Sequence, residues 1–449
     1  MDAHDTAQRI NRWLDEHRIT EIECLIPDMA GQARGKIVPR HKYDPAAGLR
    51  LPEAVHMMSV TGDYPEEDFT SVADGDMLLV PDANSLRPVP WAKEPTAQII
   101  HDCHHFDGRP VDLATRNVLR RVLGMYRDKG WTPVIAPEME FYLVQVEPDE
   151  DIPLKPPLGR TRRTEAGMQS FSIDSINEYD EVFDIMYDWC EAQGIALDTL
   201  IHEMGTAQME INLDHGDPLA LADQVFLFKR TIREVAIRHN MYATFMAKPM
   251  QGQPGSAMHM HQSVVHTESG QNIFSQADGT ASPAFFHFIA GLQTYLPAAT
   301  AIFAPYVNSY RRLSRFTSAP INLQWGYDNR TCGLRVPHSG PEARRIENRL
   351  AGVDVNPYLV MAASLACGYL GMEQQLSPSD PLTGSAYEKP HQLPRHLDDA
   401  VETLMACKPL VELLGEHFIQ TYAAVKAVEY REYFDVISPW ERRFLLLHV

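Results

Sequence analysis

Two glutamates set two residues apart in an apolar run constrain this chain more than any other feature. The run covers residues 134–143, reads VIAPEMEFYL, and contains Glu138 and Glu140. Side chains alternate between the faces of an extended strand, so both carboxylates point the same way, roughly 7 Å apart. Two like charges on an apolar strand are costly unless cations neutralise them, and hard divalent ions take such oxygen ligands. The alternative is a strand end that protrudes into solvent, so the interpretation depends on partners elsewhere.

The length and charge of the chain exclude several classes of protein. With 449 residues, 44% of them hydrophobic, the chain can build a large core. Its formal net charge of −20 argues against binding to nucleic acid, which needs a basic surface. The six cysteines lack CxxC spacing, which indicates reduced thiols, and no segment resembles a signal peptide or a membrane span. We therefore expect a soluble, cytoplasmic protein without a nucleic-acid or membrane partner.

The predicted elements divide the chain into two domains. Residues 1–105 combine one short helix with strands, including a hairpin around the turn at 28–32, and predict a small, mostly β domain. Residues 106–449 alternate long helices with short strands and predict one large α/β domain. Periodicity and capping signals predict its helices over 115–129, 178–193 and 217–239, and from Asn356-Pro357 onwards.

Further candidate ligands recur on strand-like segments of the second domain. Glu203 follows an apolar pair at 200–201, and Glu210 lies in the segment QMEIN. His259 and His261 share one face of an extended segment. An isolated His-x-His pattern more often has a structural role, so these histidines count only together with the acids.

One more acid lies in an alternating run near residue 347. The run reads RIENR, and it predicts that Glu347 is held between Arg345 and Arg349 on one face. In total, five acids and a histidine lie on such segments, which is difficult to explain without cations.

The order and spacing of these segments resemble the glutamine synthetase family. The hairpin region and the PD pair at 81–82 also resemble its amino-terminal domain, so the resemblance covers nearly the whole chain. It implies an α+β fold, with a small N-terminal β-grasp domain and a large α/β catalytic domain whose antiparallel-rich sheet forms the active site. It also implies a homo-oligomer, a hexameric ring or possibly a dodecamer, with active sites at subunit interfaces. The matching motifs are PEMEF at 137–141, HEMGTAQME at 202–210, KP at 248–249, GSAMHMHQS at 255–263, NSYRRL at 308–313, NRTCGLRVP at 329–337, RRIENR at 344–349 and NPYL at 356–359.

The resemblance implies two Mg²⁺ (or Mn²⁺) ions per active site and ATP as co-substrate. The residues that match the ligands of one metal are Glu140, Glu203 and Glu210. Those that match the ligands of the other metal are Glu138, His259 and Glu347. Such ions would cancel the repulsion between ATP and the carboxylate of glutamate.

The resemblance also assigns roles to several arginines and their neighbours. Arg330 and Arg335 resemble catalytic groups that stabilise the transferring phosphoryl group. The residues that resemble the family's glutamate-binding positions are Gly255, Arg312 and Arg349. The residues that resemble its nucleotide contacts are His261, Ser263, Arg335 and Arg345. For any single arginine, the alternative is a surface ion pair.

The chain departs from glutamine synthetases where ammonia would bind. The family's flap carries a glutamate just before an Ala-Pro pair, and this glutamate helps to deprotonate ammonium. Here Ser318 precedes Ala319-Pro320, and a serine cannot act as a carboxylate base. The family's Asp-Gly-Ser-Ser stretch is also missing around 51–63, where MMSV occurs at 57–60. The ammonia pocket is therefore predicted to be lost, while the metal and phosphoryl-transfer residues remain.

This combination resembles the branch of the family that joins glutamate to organic amines, above all the γ-glutamylpolyamine synthetases. The leading interpretation is an ATP-dependent glutamate–amine ligase that makes a γ-glutamyl amide through γ-glutamyl phosphate, with putrescine or a related polyamine as the amine. The alternatives are a γ-glutamyl-monoamide synthetase, and a glutamine synthetase that uses ammonia with a different base. A non-enzymatic assembly or regulatory protein is the third, and the retained ligand positions argue against it.

Two surface features complete the sequence-based predictions. The acidic loop at 62–68, which contains Asp63, Glu66 and Glu67, is either a solvated loop or a contact for the amine tail in the neighbouring subunit's site. Tyr387 lies roughly where some family members are adenylylated, but its surroundings, SAYEK, lack the family's Tyr-Asp-Leu-Pro. We therefore do not expect regulation by adenylylation of Tyr387.

Overall fold

The amino-terminal part of the chain is built around a mixed sheet. The computed structural model describes residues 3–66, 74–149, 151–315 and 318–449. The elements of the first part are α1 (Ala3–Glu16), β1 (Glu21–Pro27), β2 (Ala33–Pro39), β3 (Leu49–Pro52), β4 (Asp76–Pro81), β5 (Arg87–Pro88) and β6 (Thr96–His104). In the described residues the strand order is β2-β1-β6-β4-β3, with β5 also paired to β6. Helix α1 packs Ile10 and Leu14 into a small core against this sheet, as its apolar spacing predicted.

The predicted hairpin forms between β1 and β2. The two strands are antiparallel and in register from Glu21 opposite Pro39 to Pro27 opposite Ala33. Asp28 organises the turn, because its carboxylate accepts hydrogen bonds from the Gln32 backbone N–H at 2.8 Å and from the Arg34 side chain at 2.7 Å. Asp and Gly are the residues that such turns favour, and their presence made this element predictable.

The second part combines a large sheet with long helices. Its elements up to residue 266 are α2 (Thr115–Asp128), β7 (Trp131–Gln145), α3 (Ile173–Asn177), α4 (Asp180–Ala192), β8 (Leu197–His202), β9 (Gln208–Leu213), α5 (Pro218–Arg238), β10 (Met241–Thr244) and β11 (Met258–His266). The remaining elements are α6 (Pro283–Phe303), α7 (Val307–Tyr310), β12 (Trp325–Tyr327), β13 (Leu334–Val336), β14 (Ile346–Asn348), α8 (Pro357–Glu373), α9 (Leu397–Ala406), α10 (Lys408–Leu414), α11 (Glu416–Phe434) and α12 (Pro439–Leu445).

The large sheet is almost entirely antiparallel. Among the described residues its strand order is β12-β13-β14-β11-β7-β9-β8, with β10 also paired to β7. The pair β12 and β13 is parallel, and the other pairs are antiparallel. Strand β7, which contains the two glutamates of the first motif, therefore lies between β9 and β11. A central strand of this kind places its side chains among those of both neighbours.

Helices cover the sheet and begin where capping residues predict. The Asp217 carboxylate accepts a hydrogen bond from the Ala220 N–H at 2.9 Å and starts α5. Asn356 caps α8 through the N–H groups of Tyr358 and Leu359, and its side-chain amide also donates to the Asp28 carbonyl at 2.9 Å. The cap of α8 thus also joins the two parts of the chain. Helix α8 is apolar on all sides and is buried along almost its entire length.

A buried arginine is a second link between the two parts. Arg116 of α2 is 1% exposed. It forms ion pairs with Asp82 and Asp102 from the first part and with Asp223 of α5. Tyr358 also donates to Asp223, at 2.7 Å. Arg116 therefore contacts three carboxylates that the two parts contribute together.

Two further predictions concern membrane spans and the domain boundary. Among the described residues, no helix is both long enough and apolar enough to cross a membrane. The small sheet ends at His104 and the next helix begins at Thr115. A domain boundary near residue 105 stays a prediction, because the main hydrophobic core includes residues from both parts, such as Ile100 and Val118.

Candidate active site

A cavity of about 750 Å³ lies against the large sheet and collects most of the predicted site residues. The predicted site residues that line it are Glu138, Glu140, Glu203, Glu210, Gly255, His259, Arg312, Arg330, Arg335 and Arg349. Four others, His261, Ser263, Arg345 and Glu347, lie outside this lining. Glu347 and His261 are nevertheless within ion-pair distance of lining residues, as described below, whereas Ser263 lies farther along β11.

Strand register explains why these side chains meet. In the antiparallel pairs, Glu140 of β7 is opposite Glu210 of β9, and Glu138 is opposite His259 of β11. On the far side of β11, His261 is opposite Glu347 of β14. Directly opposed residues project from the same face of a sheet, so the two-residue spacing in each motif builds one continuous patch. Glu203 joins it from the turn that follows β8.

The first acidic cluster consists of Glu140, Glu203 and Glu210. Each residue offers a carboxylate oxygen within 4.8 Å of the others. Burial, followed by the charge of Glu203, raises the pKa of Glu140 to about 8. Burial and the charges of the neighbouring glutamates raise the pKa of Glu210 to about 9. Three carboxylates that resist ionisation together fit a divalent cation, because a cation would favour the charged form of all three.

The second cluster contains Glu138, His259 and Glu347. His259 Nδ1 lies 3.5 Å from a carboxylate oxygen of Glu138 and 3.8 Å from one of Glu347. Burial, assisted by the charge of Arg349, lowers the pKa of His259 to about 4, so its ring is neutral at pH 7. A metal ligand must be deprotonated in this way. The donor chemistry of this set suits a cation, but the groups whose ligand atoms lie within 4.8 Å of one another combine Glu138 with other partners.

The ligand atoms can also be grouped differently from the prediction. Glu138 has a ligand atom within 4.8 Å of those of Glu210 and His259, and also of those of His261 and Glu347. His261 Nε2 lies 2.8 Å from Glu138 Oε1. His261, predicted as a nucleotide contact, is thus placed where it could also bind or orient a ligand carboxylate.

The predicted partners of Glu347 are partly wrong. Arg349 does form an ion pair with Glu347. The second guanidinium is that of Arg335, at 2.7 Å, and not that of Arg345, whose Nε donates to His261 Nδ1 at 3.1 Å. The reason is the sheet, since Arg335 lies directly opposite Glu347 across β13 and β14. Arg345 precedes the first residue of β14 and reaches across to β11 instead.

Arg312, one of the arginines predicted to bind glutamate, lies beside Gly255, where no larger residue would fit. Arg312 is buried and donates to the carbonyls of Leu350 and Arg349 at 2.8 and 3.0 Å. Burial lowers the pKa of Arg312 to about 10, which leaves it charged at neutral pH. A Cβ on Gly255 would lie 2.7 Å from both the Ala247 carbonyl oxygen and Arg312 Cγ. Only glycine therefore lets this backbone approach the arginine.

Gln208 is a site residue that the sequence analysis missed. Its side-chain amide donates to Glu140 at 3.2 Å, to the Gly255 carbonyl at 3.0 Å and to the Ser256 hydroxyl at 3.2 Å. It thus connects the first acidic cluster to the loop around residue 255. The available signal was its position two residues before Glu210 on β9, which places both side chains on one face.

Ser318 and Tyr387 lie at the cavity wall where the flap glutamate was expected. Ser318 lines the cavity with a left-handed backbone, φ 61°. Tyr387 also lines the cavity, and its hydroxyl donates to the Ala319 carbonyl at 3.2 Å. Burial raises the pKa of this phenol. Tyr387 therefore faces the cavity and contacts the segment that contains Ser318.

The acidic loop begins close to a helix of its own chain. The Val60 N–H donates to Glu429 of α11 at 2.9 Å, and Arg431 pairs with Glu66 at 3.0 Å. Glu67 lies outside the described residues. The proposed contact with a neighbouring subunit's substrate stays a prediction.

Comparison with known proteins gives the class of this chain. A family model described as the catalytic domain of glutamine synthetase matches residues 112–445. The chain belongs to the glutamine synthetase family, whose members are ATP-dependent carbon–nitrogen ligases that require divalent metal ions. This membership confirms the predicted family and the α+β fold class.

The similar proteins include enzymes named for organic amines. Gamma-glutamylputrescine synthetase PuuA of Escherichia coli is 34% identical over 448 residues, covering 98% of this chain and 94% of that protein. Glutamate–isopropylamine ligase of a Pseudomonas species is 30% identical over 453 residues, with 96% of each chain covered. A glutamine synthetase of Thermus thermophilus is 32% identical, covering 97% and 98%. A solved structure described as apo GmaS without ligand superimposes with a TM-score of 0.86 at 30% identity, covering 98% and 99%.

Proposed function

We propose that the chain is a glutamate–amine ligase that uses ATP to join the γ-carboxylate of L-glutamate to a primary amine. Putrescine or a related polyamine is the proposed amine, and a monoamine such as isopropylamine is the alternative. The names of two similar proteins, a γ-glutamylputrescine synthetase and a glutamate–isopropylamine ligase, support this substrate class. The cavity supports it independently.

One observation about the cavity carries the proposal. Among its described lining residues, the acids are Glu138, Glu140, Glu203 and Glu210, and each is already a proposed metal ligand. At the expected position of the flap glutamate the cavity wall is Ser318. The described wall thus has no spare carboxylate to hold ammonium, and the smaller serine leaves room for a substituent on the nitrogen.

Two divalent cations are part of the proposal. Glu140, Glu203 and Glu210 would hold one, and Glu138, His259 and Glu347 would hold the other. When bound, the cations supply positive charge that offsets the repulsion between the phosphates of ATP and the carboxylate of glutamate. Arg335 and Arg349 orient Glu347 by pairing with both of its oxygens.

The arginines and Gly255 are proposed to bind and orient the reacting groups. Arg330 and Arg335 stabilise charge on the phosphoryl group as it passes from ATP to the γ-carboxylate. Arg312, Arg349 and the backbone of Gly255 hold glutamate, because planar guanidinium groups bind carboxylates at two points. The amine nitrogen then attacks the acyl carbon of γ-glutamyl phosphate. The C–N bond forms, the bond from carbon to the phosphate oxygen breaks, and phosphate leaves while the nitrogen passes one proton to solvent.

A panel of amines tests this function. Purified protein receives ATP, Mg²⁺ and L-glutamate with ammonia, methylamine, isopropylamine, butylamine or putrescine, and phosphate release is measured. We expect an organic amine to give a higher kcat/KM than ammonia, and mass spectrometry to identify the γ-glutamyl amide. A preference for ammonia over every organic amine would contradict the proposal and favour a glutamine synthetase. No glutamate-dependent phosphate release with any amine would favour a non-enzymatic role.

The assembly and location are further parts of the proposal. We expect a ring of six chains, alone or stacked in pairs, with the active sites between subunits. In each site, the proposed catalytic domain (106–449) of one chain would face the proposed amino-terminal domain (1–105) of its neighbour. We also propose a cytoplasmic location, because the co-substrate ATP is available there. Mass photometry should then give about six or twelve times the chain mass of 50.7 kDa.

A further inference from the structure

One aromatic side chain in the cavity is unusually exposed. Phe171 is 70% exposed, although it lines the same cavity as Glu203 and Glu140. An exposed phenylalanine loses the benefit of burial, and at a ligand cavity such a ring is available to pack against an apolar part of the ligand. Ile201 and Met204 line the cavity beside Glu203 as well, so the ring belongs to a partly apolar section of the wall.

The backbone of Phe171 is held in an unfavourable conformation. Its φ of 61° lies in the left-handed region, which a bulky residue seldom adopts. Its N–H donates to the His202 carbonyl at 2.8 Å. The next residue, Ser172, accepts a hydrogen bond from the Ser175 N–H and so starts α3. The backbone of Phe171 is thus held by hydrogen bonds on both sides, which keeps its Cα at the edge of the cavity.

The segment before Phe171 is also connected to the turn that contains Glu203. His202 Nε2 lies 3.0 Å from Glu165 Oε2, and its Nδ1 lies 2.7 Å from the Glu203 carbonyl oxygen. The same oxygen of Glu165 accepts the Ala207 N–H at 2.7 Å. His202 is completely buried. The positions of Phe171 and of the Glu203 cluster are therefore coupled through a single hydrogen-bonded unit.

We infer that Phe171, with Ile201 and Met204, forms an apolar wall that contacts the alkyl chain of the amine and determines the preference for organic amines over ammonia. The inference rests on the proposed function, because it concerns the amine of that same site. The wall would exclude water from the methylene groups, and ammonia has no group that could use it. Phe171 is thus a specificity-determining residue and takes no part in phosphoryl transfer.

A homologous series of amines tests the wall. We expect the wild-type kcat/KM to rise by about two- to fourfold for each methylene from methylamine to butylamine. In Phe171→Ala this increment should largely disappear, while the constants for ammonia, glutamate and ATP stay within about twofold. Phe171→Leu keeps an apolar side chain and should retain most of the increment. Phe171→Gly also removes the ring, and glycine adopts a positive φ without strain. It therefore serves as the variant without a ring if the alanine variant does not fold.

The controls separate failure of this inference from failure of the proposed function. Phe106→Ala removes another exposed ring, 59% exposed and outside the cavity, and should leave the series unchanged. A wild-type enzyme that uses no organic amine would overturn both proposals. An unchanged increment in the Phe171 variants would overturn the wall alone. An equal loss for all amines and ammonia, or dissociation of the oligomer, would also overturn it, because Phe171 would then act on the whole site or on subunit contact.

Discussion

At the scale of single residues, Glu140 and Glu210 lie where burial and neighbouring charges oppose ionisation. Their pKa values are raised to about 8 and about 9. Ionisation of these carboxylates is unfavourable in the metal-free protein. It becomes favourable when a divalent cation binds one oxygen each from Glu140, Glu203 and Glu210. Without a metal ion, the cluster should therefore lower the stability of the folded protein, and this effect can be measured.

Replacing one carboxylate of this cluster should remove both metal binding and turnover. Glu140→Gln keeps the shape of the side chain but removes the charge, and we expect phosphate release with every amine to fall by at least about a hundredfold. Addition of Mg²⁺ should raise the melting temperature of the wild type, and this shift should be lost in the variant. Glu342→Gln, an exposed substitution outside the cavity, should behave as the wild type. Near-normal turnover in Glu140→Gln would contradict the metal assignment.

The raised pKa values also predict how pH affects the metal-free protein. The folded chain keeps its protons on Glu140 and Glu210 up to about pH 8 and 9, whereas the unfolded chain releases them near 4.5. The folded state then binds more protons, so these residues make stability fall as pH rises through this interval. We expect the melting temperature in EDTA to decrease from pH 6.5 to 8, less steeply in Glu140→Gln, and Mg²⁺ to reduce the decrease. Equal slopes with and without the substitution would contradict the raised pKa of Glu140.

At the scale of secondary structure elements, single side chains fix how helices and sheets meet. Asn356 caps α8 and also donates to the amino-terminal hairpin turn. Arg116 of α2 pairs with acids from the small sheet region and from α5. Both residues form hydrogen bonds or ion pairs with buried polar groups of elements that are far apart in sequence. Each therefore stabilises the contact between its own helix and other elements.

Loss of Arg116 should destabilise the protein strongly. Arg116→Leu would leave three carboxylates without their buried cation, and breaking such a buried pair costs about 3–5 kcal/mol. Arg120 is the matched control, because it pairs with Asp102 and Asp82 but is 42% exposed. Arg120→Leu should cost at most about 1 kcal/mol. Urea unfolding followed by fluorescence measures both values, and similar costs for the two variants would show that burial does not determine the role of Arg116.

At the scale of the whole molecule, the amino-terminal part of one chain is expected to complete the site of another. The loop that would do so is held near α11 by the contacts of Val60 and Glu66. It is acidic, as a contact for a second ammonium group would require. Its role therefore depends on the proposed assembly of several chains.

Neutralising this loop should affect diamines more than monoamines. Asp63→Asn combined with Glu66→Gln is expected to raise the KM for putrescine by about five- to tenfold, because the distal ammonium group loses its partners. The KM values for butylamine, glutamate and ATP should change little. Arg431→Ala removes the partner of Glu66 and keeps the acidic charges of the loop, so it should leave the preference for putrescine intact. Equal effects on putrescine and butylamine would reject the loop as a contact for the amine tail.

The amino-acid sequence alone was enough to predict the local elements and to propose a set of candidate site residues. The hairpin at Asp28, the capped starts of α5 and α8 and the two-residue spacing of Glu138 and Glu140 all depend on neighbours within a few positions. Such local preferences can be recognised without a structure. The family resemblance, and not local spacing, supplied the predicted grouping of these residues into two clusters, because each cluster combines residues from motifs far apart in the chain.

Contacts between side chains from distant segments required the folded structure. The register of β13 against β14 gave Glu347 the partner Arg335, where the local alternation had predicted Arg345. Likewise, the exposure of Phe171 and the position of Tyr387 at the cavity depend on loops that pack against far-off strands. No local pattern specifies such contacts, because they arise from the mutual packing of segments separated by scores of residues in the chain.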